Sequence, residues 1–141
     1  MSIYADSSFF VSVYLRDGHT PEALRRMATH PVLWFTPFHK LEFAHAVARS
    51  VFERQMTAAT ADAIHKDLGR DCDAGLWHLV AVPHTAFETG VVLARRHVSA
   101  LGTRTLDTLH VACALELKAD RFWTFDQRQA KLAKAAGLKI S

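Results

Sequence analysis

Cysteine is scarce in this sequence: the 2 residues, Cys72 and Cys113, show neither CxxC spacing nor a histidine pair beside them. A disulfide framework and a Cys/His zinc module are both excluded, and the thiols read as reduced, buried, small apolar groups. Long apolar runs are missing too. Nothing approaches the roughly 20 residues that cross a bilayer, and the opening MSIYADSS lacks the basic and apolar regions of a secretory signal. No membrane association is expected, and the chain reads as cytoplasmic. Low-complexity linkers and internal repeats are absent, so 1–141 reads as one domain. There is no GxxxxGK[ST] loop or GxGxxG turn for nucleotide phosphates, no GxSxG elbow for a serine nucleophile and no HExxH pair for zinc. Neither charge dominates: 17 Lys and Arg against 14 Asp and Glu leave a net +3, which permits a phosphate-rich partner without requiring one.

What is present is an alternation of short apolar runs with helical patterns. SIYA (2–5) is a strand ending at Asp6, and SSFFVSVYLRDG carries apolar residues at helical spacing as far as Gly18. Thr20, Pro21 and Glu22 open a second helix, with Thr as N-cap and Pro at the first helical position. VLWFT (32–36) reads as a buried strand. The helix from Pro37 to about Gln55 follows, with Leu41, Ala44, Ala48 and Val51 as its core stripe. After a charged helix over about 58–76, HLVAV (78–82) is the third strand, and Thr85 with Glu88 makes a capping box for a helix ending near Gly102. TRTLDTLHVACALELKAD is apolar nearly all round, as a helix buried against a sheet must be, with Thr105 as its N-cap. RFWTF (121–125), a helix over about 127–136 and LKI (138–140) complete the pattern. Apolar strands alternating with helices predict an α/β fold whose parallel sheet is covered on both faces.

Once acids that look like caps or solvated faces are set aside, Asp6, Glu42, Asp107 and Asp126 remain, each interrupting an apolar neighbourhood. Asp6 and Asp126 follow strands, Glu42 lies in the second turn of its helix and Asp107 in the first turn of the buried helix. In a parallel sheet such positions lie at the carboxyl edge, and if the first and fourth strands are neighbours Asp6 and Asp126 face one crevice on which all four could converge. Each acid also has a structural reading on its own, as an N-cap, a surface partner of Arg49 or a carboxylate favoured by a helix dipole. Together they repel, by about 4 kcal/mol for two charges about 4 Å apart at an effective dielectric of 20, so a cluster calls for a cation. Mg²⁺ or Mn²⁺ suits an all-oxygen site, and carboxylate-held ions of this kind serve phosphodiester and phosphate ester hydrolysis. In the absence of metal, replacing Asp6 or Asp126 by Asn is expected to leave stability equal or higher.

SIYADSS, Glu42 in PFHKLEFAHAV, RTLDTLHVACAL around Asp107 and FWTFDQRQAKLAKAAGLKI around Asp126 together resemble the PIN-domain ribonucleases, specifically the VapC-like toxins of toxin–antitoxin pairs. The resemblance spans essentially the whole chain. It implies a three-layer α/β/α fold, a parallel sheet of about five strands in the order 3-2-1-4-5, and an acidic Mg²⁺ or Mn²⁺ pocket. Carried over residue by residue, it makes Asp6, Glu42, Asp107 and Asp126 the catalytic and metal-binding quartet, with Ser7 and Thr124 as supporting hydroxyls. It further implies an RNA substrate, a small cognate antitoxin and a homodimer. Arg128 and Lys131 are candidates for guiding the RNA backbone, although a solvated helix face explains them as well. His110, one turn beyond Asp107, reads as a packing histidine.

The rivals are a Mg²⁺-dependent phosphatase or receiver, and a PIN-fold RNA-binding or regulatory module that does not cleave. A haloacid-dehalogenase-like phosphatase requires a second Asp two residues after the first, where this chain has Ser8. A receiver requires an Asp at the end of a middle strand, where Pro37 and Pro83 stand instead.

Overall fold

The computed structural model describes residues 1–140. Five parallel strands, β1 (Ser2–Ala5), β2 (Val32–Phe35), β3 (His78–Leu79), β4 (Arg121–Trp123) and β5 (Lys139–Ile140), form one sheet in the order β3-β2-β1-β4-β5. The expected order is therefore observed. Chain direction across the sheet reverses between β1 and β4, which makes their carboxyl ends the topological switch point.

Side-chain alternation along the central strands explains the layering. Ile3 and Ala5 point into one core with Leu33, Phe35 and Trp123, whereas Tyr4 points into the other with Phe122. The first core is closed by α1 (Ser7–Tyr14), α2 (Thr20–Met27), α3 (Pro37–Phe52) and α4 (Ala58–Asp73). Over the second lie α5 (Ala86–Leu93), α7 (Thr105–Glu116) and α8 (Gln127–Ala135). Between α5 and α7 the chain continues through a π-helical turn, Ala94–Val98, and the short α6 (Ser99–Leu101), which stops at Gly102 with φ 68°. That left-handed residue is why glycine stands there. Among the described residues no helix is long and apolar enough to cross a membrane.

Several local expectations differ. The buried face of α3 is His39, Phe43 and Val47, while Leu41 is 69% exposed and Ala48 faces solvent. Seating the larger Phe43 in the core turns Leu41 and Ala48 of the expected stripe outward, while Ala44 stays half-buried and Val51 packs against the core. Thr36 caps α3 as expected, and His39 completes its capping box. Thr85 is the N-cap of α5 but forms no such box with Glu88: its backbone already has helical angles, no side-chain cap bond forms, and its hydroxyl donates to Glu116 Oε2 at 3.1 Å. The N-cap of α7 is Arg104 rather than Thr105. Thr20 is the first residue of α2, and its hydroxyl donates to the Ser12 carbonyl at 2.6 Å. β3 ends at Leu79 and is an exposed edge rather than a buried strand through Val82.

Candidate functional site

At the switch point the backbone N–H of Asp6 donates to the Trp123 carbonyl at 2.9 Å, pinning the end of β1 to the end of β4. Asp6 then caps α1: its Oδ2 accepts from the Ser8 hydroxyl at 2.6 Å and the Ser8 N–H at 3.3 Å. Across the crevice Asp126 caps α8, accepting the Gln129 N–H on Oδ1 at 3.0 Å, while its own N–H donates to Thr124 Oγ1 at 3.0 Å. Both cap readings therefore hold, and both carboxylates still lie at the carboxyl edge.

Glu42 reaches the same place from α3. Its Oε1 accepts from the Ser7 hydroxyl at 2.8 Å and contacts His110 Nε2. Asp107, in the first turn of α7, pairs with Arg104 Nε at 3.1 Å. Asp107 and Asp126 line a cavity of about 380 Å³ together with Arg104 and Arg128.

Two fully buried histidines lie beneath. His110 packs face to face on Phe38, with ring centroids 4.1 Å apart, and its Nδ1 meets the Tyr4 hydroxyl at 2.8 Å. Its other nitrogen lies 3.1 Å from Ser7 Oγ and 3.5 Å from Asp6 Oδ1, between the two acids. His110 is thus a packing residue that also ties Glu42 to Asp6. His39 accepts the Thr36 N–H on Nδ1 at 3.0 Å, so Nε2 carries the proton and donates to the Ala5 carbonyl at 2.8 Å. Burial, reinforced by nearby His110, pushes His39 down to about 3, so the ring stays neutral.

The carboxylates do not behave alike. Burial opposes the charge of Asp6, but His110 and the hydrogen bonds from Ser8 and Gln129 outweigh it and hold this carboxyl below its ordinary value. Asp107 shifts the other way. Burial raises it, and negative Asp6 and Asp126 add to the rise against the hydrogen bond from Arg104. Repulsion between carboxylates is therefore felt at Asp107, whereas at Asp6 the opposing influence that is overcome is burial.

The all-oxygen donor set has the chemistry that Mg²⁺ and Mn²⁺ favour. Among the described residues, however, no three His, Cys, Asp or Glu side chains gather closely enough to hold an ion.

The sequence pattern of the PIN domain matches residues 3–135. The chain belongs to the PIN-domain family. No curated protein matches it. Among solved structures it is similar to VapC20 of Mycobacterium tuberculosis, described as a Sarcin-Ricin loop cleaving toxin, with TM-score 0.68 and 18% identity over 96% of this chain and 95% of that one. FitAcB of Neisseria gonorrhoeae is similar with TM-score 0.73 and 13% identity, over 98% and 95% of the two chains. VapBC2 of Rickettsia felis, bound to a promoter DNA fragment, gives TM-score 0.68 and 12% identity over 100% and 98%. At these identities the likeness is one of fold.

Within this PIN domain, Asp107 and Asp126 line one cavity, while Asp6 and Glu42 meet around His110 Nε2, with Ser7 on Glu42 and Thr124 on the Asp126 backbone. Arg128 lines the cavity, whereas Lys131 is exposed on α8 outside that lining. Sequence reasoning passed over Tyr4, Arg104 and Gln129. For Gln129 a signal existed: it shares the buried stripe of α8 with Leu132 and Ala133, and a polar residue on such a stripe needs partners.

Proposed function

We propose that this PIN domain is a Mg²⁺- or Mn²⁺-dependent endoribonuclease, the toxin of a toxin–antitoxin pair, which hydrolyses RNA phosphodiester bonds. What supports this reading is the geometry at the sheet's switch point, where Asp107 and Asp126 line a cavity with Arg104 and Arg128, and Gln129 bridges Asp6, which shares His110 with Glu42, to the Asp107 backbone. These four carboxylates are the ligands proposed for the ion. When bound, Mg²⁺ or Mn²⁺ supplies a lowered pKa for water and charge neutralisation at phosphorus. The chain's own residues do the rest. Ser7 and His110 hold Glu42 in place, Ser8 and Gln129 hold Asp6 ionised, and Arg128 and Lys131 attract the RNA backbone electrostatically.

A small antitoxin and a second copy of the chain are the proposed partners. Support comes from apolar side chains that no core absorbs: Leu41 and Phe52 on α3, and Phe87, Val91 and Val92 on α5. The neighbours VapBC2 and FitAcB make an antitoxin the partner to look for.

One observation favours a second reading, a PIN-fold module that binds RNA without cutting it: among the described residues no three His, Cys, Asp or Glu side chains gather closely enough to hold an ion. Incubating the purified chain with RNA, with Mg²⁺, Mn²⁺ or excess EDTA, separates the two. Cleavage that requires metal supports the nuclease, and RNA binding without cleavage under any metal supports the silent module.

A further inference from the structure

We propose that Gln129 is a positioning residue for the acidic crevice, setting the placement of Asp6 relative to Asp107 and Asp126 before any ion arrives. Its side chain is fully buried at the start of α8. The amide nitrogen donates to Asp6 Oδ1 at 3.2 Å and to the Asp107 backbone carbonyl at 3.1 Å. Its Oε1 accepts from the Thr124 hydroxyl at 2.6 Å, and its backbone N–H donates to Asp126 Oδ1 at 3.0 Å. One residue therefore touches three of the four acid-bearing positions, which come from the β1–α1 junction, α7 and the β4–α8 junction.

The amide's orientation is determined by its partners. Asp6 Oδ1 and the Asp107 carbonyl are both acceptors, and the Thr124 hydroxyl, which accepts the Asp126 N–H, is free to donate to Gln129 Oε1. The NH₂ group must then face the crevice. A flipped amide would set its oxygen against a carboxylate oxygen and a carbonyl oxygen, with no donor between them. In the observed orientation two lone pairs, one on Asp6 and one on the Asp107 carbonyl, are joined by one rigid NH₂ group, and the other Asp6 oxygen is held by Ser8. Outer partners of this kind orient ligands, and their loss typically costs 10–100-fold in metal affinity.

This inference rests on the reading of the crevice as an ion site, and the test keeps the two apart. Mn²⁺ binding to the full chain is measured by electron paramagnetic resonance, independently of cleavage, for wild type, Gln129→Met and Gln129→Asn. Met preserves volume without the hydrogen bonds; Asn keeps an amide too short to span Asp6 and the Asp107 carbonyl. Both variants are expected to bind Mn²⁺ on the order of tenfold more weakly. Cleavage should fall by the same factor at low metal and recover at saturating metal, with KM for RNA unchanged. In the wild type, adding Mg²⁺ should shift the Gln129 side-chain amide resonances with the midpoint that activates cleavage, a readout that requires no variant to fold. Metal titrations of a folded variant that superimpose on wild type, or Gln129 amide resonances unmoved by saturating Mg²⁺, overturn the role of Gln129 and leave the nuclease reading intact. A wild-type chain that takes up no Mn²⁺ overturns both.

Discussion

Glu42 and His110 stand on helices that cover opposite faces of the sheet, and they meet above the hydroxyl of Ser7. Through this contact α3 and α7 are joined at the one edge where β1 leaves a gap between its neighbours' connections. His110→Phe keeps the stack on Phe38 but strips the hydrogen bonds from Tyr4 and Glu42. It is expected to lower stability by about 1–3 kcal/mol, the usual cost of leaving buried polar groups unpaired. Urea unfolding of the metal-free variant checks the magnitude, and retained wild-type stability would show that the contact is incidental.

Asp6 and Asp107 should respond in opposite directions to loss of their charge. A carboxyl held below its unfolded value, like Asp6, adds stability above the unfolded pKa of about 3.9 that is lost as pH falls through the folded value. A raised carboxyl, like Asp107, adds stability only in acid and loses it as pH rises through the folded value. At pH 7 without metal, Asp6→Asn is thus expected to destabilise, by about 1–3 kcal/mol from weakened charge-assisted bonds, whereas Asp107→Asn should be neutral or stabilising. Thermal melts with EDTA decide this. The result would also correct the simple expectation from crowding, under which Asp6→Asn costs nothing.

His39 predicts a separate acid sensitivity. Its folded value near 3 lies below the unfolded value of about 6.5, so between these limits the unfolded chain binds the extra proton. Stability should therefore fall as pH drops from about 6.5 toward 3, by up to about 1.4 kcal/mol per pH unit from this group. His39→Gln should flatten that part of the profile. Denaturation midpoints of both proteins between pH 4.5 and 7 give the comparison, and parallel profiles would count against a neutral His39.

How legible these features were follows from where their information lies. Asp6 and Asp126 were readable because a strand–helix junction in a parallel sheet fixes which edge a residue occupies, whatever its side-chain neighbours. The same logic placed Glu42 and Asp107. The face of α3 was not readable in this way: Leu41 and Phe43 are both apolar candidates for the core, and the entry angle that selects one depends on Thr36, Pro37 and the His39 bond to Ala5. Thr85 failed as a capping box because its partner, Glu116, lies on another helix. Gln129 sits in the polar-looking stretch DQRQAKLAKAA, and only the spacing to Leu132 and Ala133 marks it as buried.

The exposed apolar faces yield a mass prediction. A homodimer held through α5 should scatter light as twice the 15.8 kDa chain at micromolar concentration. Phe87→Glu combined with Val91→Glu places charges on two side chains that are 60% and 58% exposed, which should cost little in the isolated chain and convert dimer to monomer. A monomeric wild type would remove the dimer from the account.

The most direct test of the central claim is RNA cleavage by Asp126→Asn beside wild type across a Mg²⁺ titration. Asn replaces Asp well as an N-cap, so α8 and the fold should persist, which a thermal melt verifies. If Asp126 is a charged ligand of the ion, Mg²⁺-dependent cleavage falls by orders of magnitude in this folded variant. Cleavage retained at the wild-type level would contradict the assignment of the acidic crevice as the metal site.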